Sequence, residues 1–284
     1  PTSCRQLRPS AMRPVFTLFG DSITQFSFGP GGWGAALAND WQRHADIRLR
    51  GYSGYNTRWA LHLLPHLFPS GGRPEDTPAL VVVFLGANDA TRPPPLRLQP
   101  EQSSRQHVPL EEYRRNLVSI IGAIRECGDG SARVLLLSPP PCDDVAWAQH
   151  CSTTYGLDPA SEPNRNFETT QQYAAAALEV AAEEGVPAAD VHAAFLREEW
   201  KDLLADGLHP NARGNAAIAA CVLEAIGRHF PELQPTQTAP SALPSKQRAH
   251  RGFDRRLGID FPDHKAIDAS DPGATFDKWQ RRKP

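Results

Sequence analysis

The chain has 284 residues, 40% of them hydrophobic, and its 30 basic and 32 acidic side chains leave a formal net charge of -2. That length and apolar content can bury one sizeable α/β core without a second domain. The balanced charge gives no electrostatic case for nucleic acid or an anionic membrane, and no apolar run reaches the roughly 18 residues of a membrane span or forms a secretory signal.

Residues 1 to 11 carry Arg5 and Arg8 and no acid, ahead of the only methionine, Met12. They read either as a leader or remnant before a native start, or as the tail of an organelle transit peptide. The apolar run Val15 to Phe19 reads as a buried strand that delivers Gly20-Asp21-Ser22-Ile23-Thr24 to the carboxyl edge of a parallel sheet, where open α/β folds gather ligands. Ser22 is therefore a candidate nucleophile, although serine is also common in turns and at helix N-caps. A glycine-rich loop leads to a helix over about Trp33 to Gln42, and Asp46 to Arg50 reads as a second strand. Beyond it, Gly51-Tyr52-Ser53-Gly54-Tyr55-Asn56 lets a backbone N–H approach a ligand, with Gly54 the first choice and Gly51 behind it.

A helix is expected from near Asn56 with Trp59, Leu63 and Leu67 on one face. The run Ala79 to Leu85 reads as a central strand ending in Gly86-Ala87-Asn88-Asp89, which makes Asn88 a candidate oxyanion donor. From Thr91 to Val108 the chain is proline-rich and aperiodic, a candidate pocket rim. Leu110, Tyr113, Leu117, Ile120, Ile121 and Ile124 then recur at helical spacing, and Arg133 to Leu137 forms a fourth strand stopped by Ser138 and three prolines. A helix over about Phe167 to Glu184 and a weakly signalled fifth strand near Val186 to Val191 follow, and a last helix after Asn211 buries Ile218, Cys221, Val222 and Ile226. Before that helix, Asp206-Gly207-Leu208-His209 sets a carboxylate three residues ahead of an imidazole, so that Asp206 can accept the His209 Nδ1 proton and leave Nε2 free as a base. Taken singly, Asp-Gly is also a turn dipeptide and His-Pro-Asn a helix start.

The conjunction decides between these readings. Gly20-Asp21-Ser22, Ser53-Gly54, Gly86-Ala87-Asn88-Asp89 and Asp206-Gly207-Leu208-His209 together resemble, in order and spacing, the four blocks of the SGNH or GDSL hydrolase family. The stretches Arg50 to Trp59 and His107 to Tyr113 are similar to its isoamyl acetate-hydrolysing esterase branch, and the resemblance runs from about Met12 to Phe230. It implies a flavodoxin-like three-layer α/β/α fold with a five-stranded parallel sheet. It also implies Ser22 as nucleophile with Asp206 and His209 as partners, and an oxyanion hole of the Ser22 N–H, the Gly54 N–H and the Asn88 side chain. The implied reaction is hydrolysis of short-acyl esters of small alcohols. Carbohydrate O-deacetylation, thioesterase and lysophospholipase chemistry use the same residues, and a non-catalytic binding module is a reading from a different class.

Several competing signals are weaker. Gly29-Pro30-Gly31-Gly32-Trp33-Gly34 matches GxGxxG, but it lies some ten residues beyond the strand and no acid ends the second strand, so its glycines are expected to shape the pocket wall. Ser53 is a near miss to GxSxG because Tyr55 stands at the last glycine. His62 and His66 have zinc-helix spacing, but Leu63 replaces the glutamate of HExxH and Pro65 interrupts the turn, so no metal and no cofactor are expected. Five cysteines, at 4, 127, 142, 151 and 221, contain no CxxC pair, which fits free thiols in a reducing, cytoplasmic setting, with organelle import through residues 1–11 as the other option. A bond between Cys142 and Cys151 across an eight-residue loop is the alternative for those two.

The expected organisation is a leader or remnant at 1–11, a hydrolase domain at 12–231 and a linker with extension at 232–284. In that extension Ile259, Phe261, Phe276 and Trp279 are candidate docking anchors. The expected partner is a small-molecule ester.

Overall fold

The computed structural model describes residues 13–71, 77–92, 106–156, 164–235 and 256–257. The expectations for residues 1–11, Cys4, the centre of the 91–108 segment, and the anchors Ile259, Phe261, Phe276 and Trp279 lie outside these residues.

Five strands form one parallel sheet: β1 (Val15–Gly20), β2 (Asp46–Gly51), β3 (Leu80–Phe84), β4 (Arg133–Leu137) and β5 (Ala188–Ala189), in the order β2-β1-β3-β4-β5. This is the flavodoxin-like order, with its switch point between β1 and β3. Strand β3 shows why the sheet needs two covers. Leu80, Val82 and Phe84 enter one apolar cluster, while Val81, Val83 and Leu85 enter the other, because successive side chains point to opposite faces.

On the first face lie α2 (Trp33–Asp40) and α9 (Ala212–His229), with Trp33, Leu37, Ile218, Val222 and Ile226 buried against the sheet. On the second lie α5 (Leu110–Arg125) and α7 (Phe167–Glu183). The stripe read from α5 is the buried one, with Tyr113, Leu117, Ile120, Ile121 and Ile124 all fully enclosed. Asparagine side chains start the last two long helices: Asn166 accepts from the Thr169 N–H, and Asn211 from those of Arg213 and Gly214.

Four local expectations need correction. The helix expected from Asn56 is two short pieces, α3 (Thr57–Leu61) and α4 (Leu64–Leu67), because the chain leaves the helix around His62 and Leu63, before Pro65. The break rotates the buried face by one residue: Ala60, Leu64 and Phe68 are enclosed, whereas Trp59, Leu63 and Leu67 are half-buried. The stretch after the three prolines, read as a loop, contains α6 (Asp144–Tyr155), N-capped by Asp143 and ended by Gly156 in the left-handed region. Strand β5 is only two residues long, and α8 (Val191–Phe195) follows it directly. Cys221 is half-buried rather than enclosed. Past residue 231, Leu233 still packs into the first cluster and its carbonyl accepts the Trp41 indole N–H at 2.7 Å. Gln234–Pro235 then pairs in parallel with Arg256–Leu257.

Candidate active site

Strand β1 brings Asp21 and Ser22 to the carboxyl edge of the sheet, and Asp21 caps the one-turn helix α1 (Ser22–Gln25) by accepting the Ile23 N–H at 2.9 Å. Gly20 cannot be replaced without movement there, since a Cβ would lie 2.3 Å from the Phe84 carbonyl oxygen. Ser22, only 6% exposed, places Oγ 3.0 Å from His209 Nε2. His209 Nδ1 lies 2.7 Å from Asp206 Oδ2, while Asp206 Oδ1 accepts the backbone N–H groups of Leu208 at 2.9 Å and His209 at 2.7 Å. Burial alone would raise the Asp206 carboxyl, but the His209 side-chain and backbone bonds, the His209 charge and the Leu208 N–H outweigh it and bring it down to about 2.

The loop that carries this pair is pinned at both ends. Leu204 and Pro210 form a bridge, and the Ala205 N–H donates to the His209 carbonyl at 2.8 Å. Gly207 sits at φ 90° against the start of α6, where its carbonyl accepts the Asp143 N–H at 2.8 Å and a Cβ would fall 2.4 Å from the Trp147 nitrogen. Aromatic edges hold the imidazole laterally: the Phe26 and Trp147 rings each lie 6.2 Å from the His209 ring. His150 stacks on Trp147 and brings its Nε2 to 4.0 Å from Asp206 Oδ2.

At the carboxyl end of the neighbouring strand, Asn88 follows β3 and donates from Nδ2 to the Tyr55 carbonyl at 2.9 Å. An amide nitrogen has two hydrogens, so one remains for a ligand. The Gly54 carbonyl accepts from Gln106 Nε2 at 2.9 Å, and the Gln106 carbonyl accepts from Asn56 Nδ2 at 2.8 Å. Neither the Ser22 N–H nor the Gly54 N–H donates to any of the described residues. The 91–108 segment is tied to this region at both ends: His107 Nδ1 donates to the Thr91 carbonyl, and the Val108 N–H to the Asp89 carbonyl at 3.2 Å.

Arg165, which the sequence did not single out, and Asp89, named in its block without a role, join the region. Arg165, 3% exposed, donates from Nη2 to Asn88 Oδ1 at 2.9 Å and to Gln106 Oε1 at 3.0 Å, and from Nε to the Ala87 carbonyl at 3.2 Å. Its guanidinium carbon also lies 5.0 Å from the centre of the Trp147 ring. A lone arginine in Asn164-Arg165-Asn166 has no pattern that marks it as buried. Asp89, fully enclosed, accepts the Thr57 N–H at 2.9 Å and the Thr57 hydroxyl on Oδ1, while its Oδ2 has no partner among the described residues. Burial pushes the Asp89 carboxyl up to about 7 and the Asp21 carboxyl up to about 6.

Other candidates make no hydrogen bond to Ser22, His209 or Asp206 among the described residues. The glycines of the GxGxxG match allow close packing at the start of α2: a Cβ on Gly32 would strike the Ser27 carbonyl, one on Gly34 the Ser27 hydroxyl, and Gly31 faces Ala212. Ser53 is exposed, with its N–H on Gln25 Oε1 at 2.7 Å. His62 and His66 are exposed, and no metal-holding cluster exists among the described residues. Cys142, Cys151 and Cys221 are free thiols, and Cys151 lies within α6, not across a loop. No helix among the described residues is long and apolar enough to cross a membrane.

Comparison with known proteins identifies the family. The model of the GDSL-like lipase/acylhydrolase family matches residues 18–217. A GDSL esterase/lipase of Arabidopsis thaliana is 37% identical over 94% of this chain and 99% of its own length. The Bos taurus homolog of isoamyl acetate-hydrolyzing esterase 1 is 41% identical over 72% of this chain and 78% of its own. Among solved structures, a lipase/acylhydrolase from Enterococcus faecalis superposes with a TM-score of 0.57 at 24% identity, covering 80% of this chain and all of that one. An acetylxylan esterase from Geobacillus stearothermophilus gives 0.53 at 21% identity over 75% of this chain and 94% of its own, a likeness of fold. The chain belongs to the GDSL-like lipase/acylhydrolase family and is a carboxylic ester hydrolase.

Proposed function

We propose that this hydrolase works through Ser22, His209 and Asp206 by way of an acyl-enzyme, on short-acyl, acetate-type esters of small alcohols. The observation that carries the reading is the continuous hydrogen-bonded series from Ser22 Oγ through both ring nitrogens of His209 to Asp206. His209 Nε2 removes the Ser22 proton as Oγ attacks the ester carbonyl carbon, and the same proton is then given to the departing alkoxide. Water repeats the attack on the acyl-enzyme with His209 again as base, releasing the acid and Ser22. Asp206 stays ionised throughout and steadies the imidazolium.

The Ser22 and Gly54 N–H groups and the free Asn88 Nδ2 hydrogen stabilise the oxyanion of each tetrahedral intermediate. The assignment of Gly54 rests on its unengaged N–H beside the tethered 91–108 segment. Short-acyl preference is supported by the relatives named for isoamyl acetate hydrolysis. A series of 4-nitrophenyl esters from acetate to decanoate, together with acetylated oligosaccharides and acyl thioesters, tests it. Highest kcat/KM on the two- to four-carbon oxygen esters, absent in Ser22→Ala, is the expected result. A maximum on long chains, on thioesters or on acetylated sugars would overturn the substrate assignment.

A further inference from the structure

Arg165 has a full buried charge whose hydrogen bonds, among the described residues, end only on neutral oxygens: the Ala87 carbonyl, Asn88 Oδ1 and Gln106 Oε1. No carboxylate among the described residues forms an ion pair with it. Desolvating an arginine without an ion-pair partner is costly, so a structural explanation alone is poor. Its placement is informative. One nitrogen, Nη2, serves both Asn88 and Gln106, and Gln106 in turn donates to the Gly54 carbonyl. A single cation thus touches the loop after β3 directly and the loop after β2 through Gln106, and two of the three assigned oxyanion donors come from these loops.

We propose that Arg165 is the positioning residue of the oxyanion hole: it fixes and polarises the Asn88 amide directly, and holds the Gly54 loop through Gln106. The inference rests on the Ser22-centred reading above. Because guanidinium can only donate, Oδ1 must face Arg165, and the Asn88 amide cannot flip. Nδ2 is thereby aimed away from Arg165, with one hydrogen on the Tyr55 carbonyl and the other left for a ligand. A cationic donor on the carbonyl oxygen also draws electron density from the amide and makes its remaining N–H a stronger donor. The cation–π contact with Trp147, which also packs against the His209 ring, anchors the guanidinium on the imidazole side as well. The role demands more of the transition state, where the oxyanion forms, than of bound ester.

The test is steady-state kinetics of Arg165→Ala on 4-nitrophenyl acetate, alone and in the Asn88→Ala background. We expect kcat to fall roughly 10- to 100-fold with KM little changed, as for loss of an oxyanion donor's support. Guanidinium ion at low millimolar concentration should restore part of that kcat, and sodium chloride should not. In the Asn88→Ala background the Arg165→Ala loss should shrink to a few-fold, the remainder running through Gln106, and rescue should shrink with it. Full multiplication of the two losses, or an unchanged kcat in Arg165→Ala, would overturn the proposal. Should Arg165→Ala fail to fold, Gln106→Ala, which cuts only the arm to Gly54, and Arg165→Lys, which keeps the charge without the fork, replace it. Both are expected to melt near the wild-type temperature with reduced kcat, and unchanged kcat in both would overturn the proposal. Retained activity in Ser22→Ala would instead sink the underlying esterase mechanism, so the two failures are separable.

Discussion

Asp206 holds His209 twice: Oδ1 accepts its backbone N–H at 2.7 Å and Oδ2 faces its Nδ1 at the same distance. The three-residue spacing makes this possible, because one carboxylate can close a turn with one oxygen and orient the ring with the other. Asp206→Asn should therefore lower kcat by about 10³ to 10⁴, since an amide nitrogen facing Nδ1 favours the wrong tautomer. The check is kcat on a short-acyl ester beside a thermal melt; a loss under tenfold in folded protein would contradict the role.

Asn88→Ala removes one oxyanion donor and leaves Ser22 and His209 in place. Turnover should drop by about 10² to 10³, about 3 kcal/mol in the barrier, with KM nearly unchanged. A change confined to KM would show that Asn88 binds substrate instead of stabilising the oxyanion.

Stability should depend on pH through Asp89. Its folded carboxyl is raised from the ordinary carboxylate range to about 7, chiefly by burial, with Thr57 opposing and Asp21 adding to the rise. The folded state thus holds a proton that the unfolded chain gives up near 4, so this contribution is complete below about 4 and is lost as pH rises through about 7. Asp21, raised to about 6, acts in the same direction. Asp206, lowered to about 2, acts oppositely: its contribution is complete above about 4 and lost as pH falls toward 2. Denaturant unfolding at pH 5 and pH 8 should show Asp89→Asn losing less stability than wild type over that interval. Equal slopes for the two proteins would refute the assignment.

Gly207→Ala should cost about 2 kcal/mol or more, through its left-handed backbone and the collision with α6. Because the same loop carries Asp206 and His209, turnover should fall along with the melting temperature. Retention of both would mean that the loop is free to shift.

The parts of the fold legible in the sequence are those with a dense apolar signal. The run ALVVVFL at β3 and the stripe from Tyr113 to Ile124 admit one reading each, and the structure buries them accordingly. Three of the site blocks were legible because each follows a strand end, so the sheet itself brings them to one edge, and the fourth, Asp206 to His209, was legible from its carboxylate–imidazole spacing just before the last helix. Helix α6 was not legible because its buried face is little more than Trp147 and Cys151, four residues apart. Its Asp143 N-cap and Gly156 C-cap were the available signals. The off-by-one face at Ala60, Leu64 and Phe68 came from extending one helical period through a break. Arg165 and Gln106 escaped because a buried cation among polar neighbours leaves no periodicity, and its partners lie 77 and 59 residues away in the chain.

The most direct test of the central claim, that Ser22 is an activated nucleophile driven by His209, is intact mass and peptide mapping after exposure to an organofluorophosphonate. The expected result is one adduct per chain on the Ser22 peptide, absent in Ser22→Ala and in His209→Ala. Folded wild-type protein that stays unlabelled, or labelling at another residue that survives Ser22→Ala, would contradict the account.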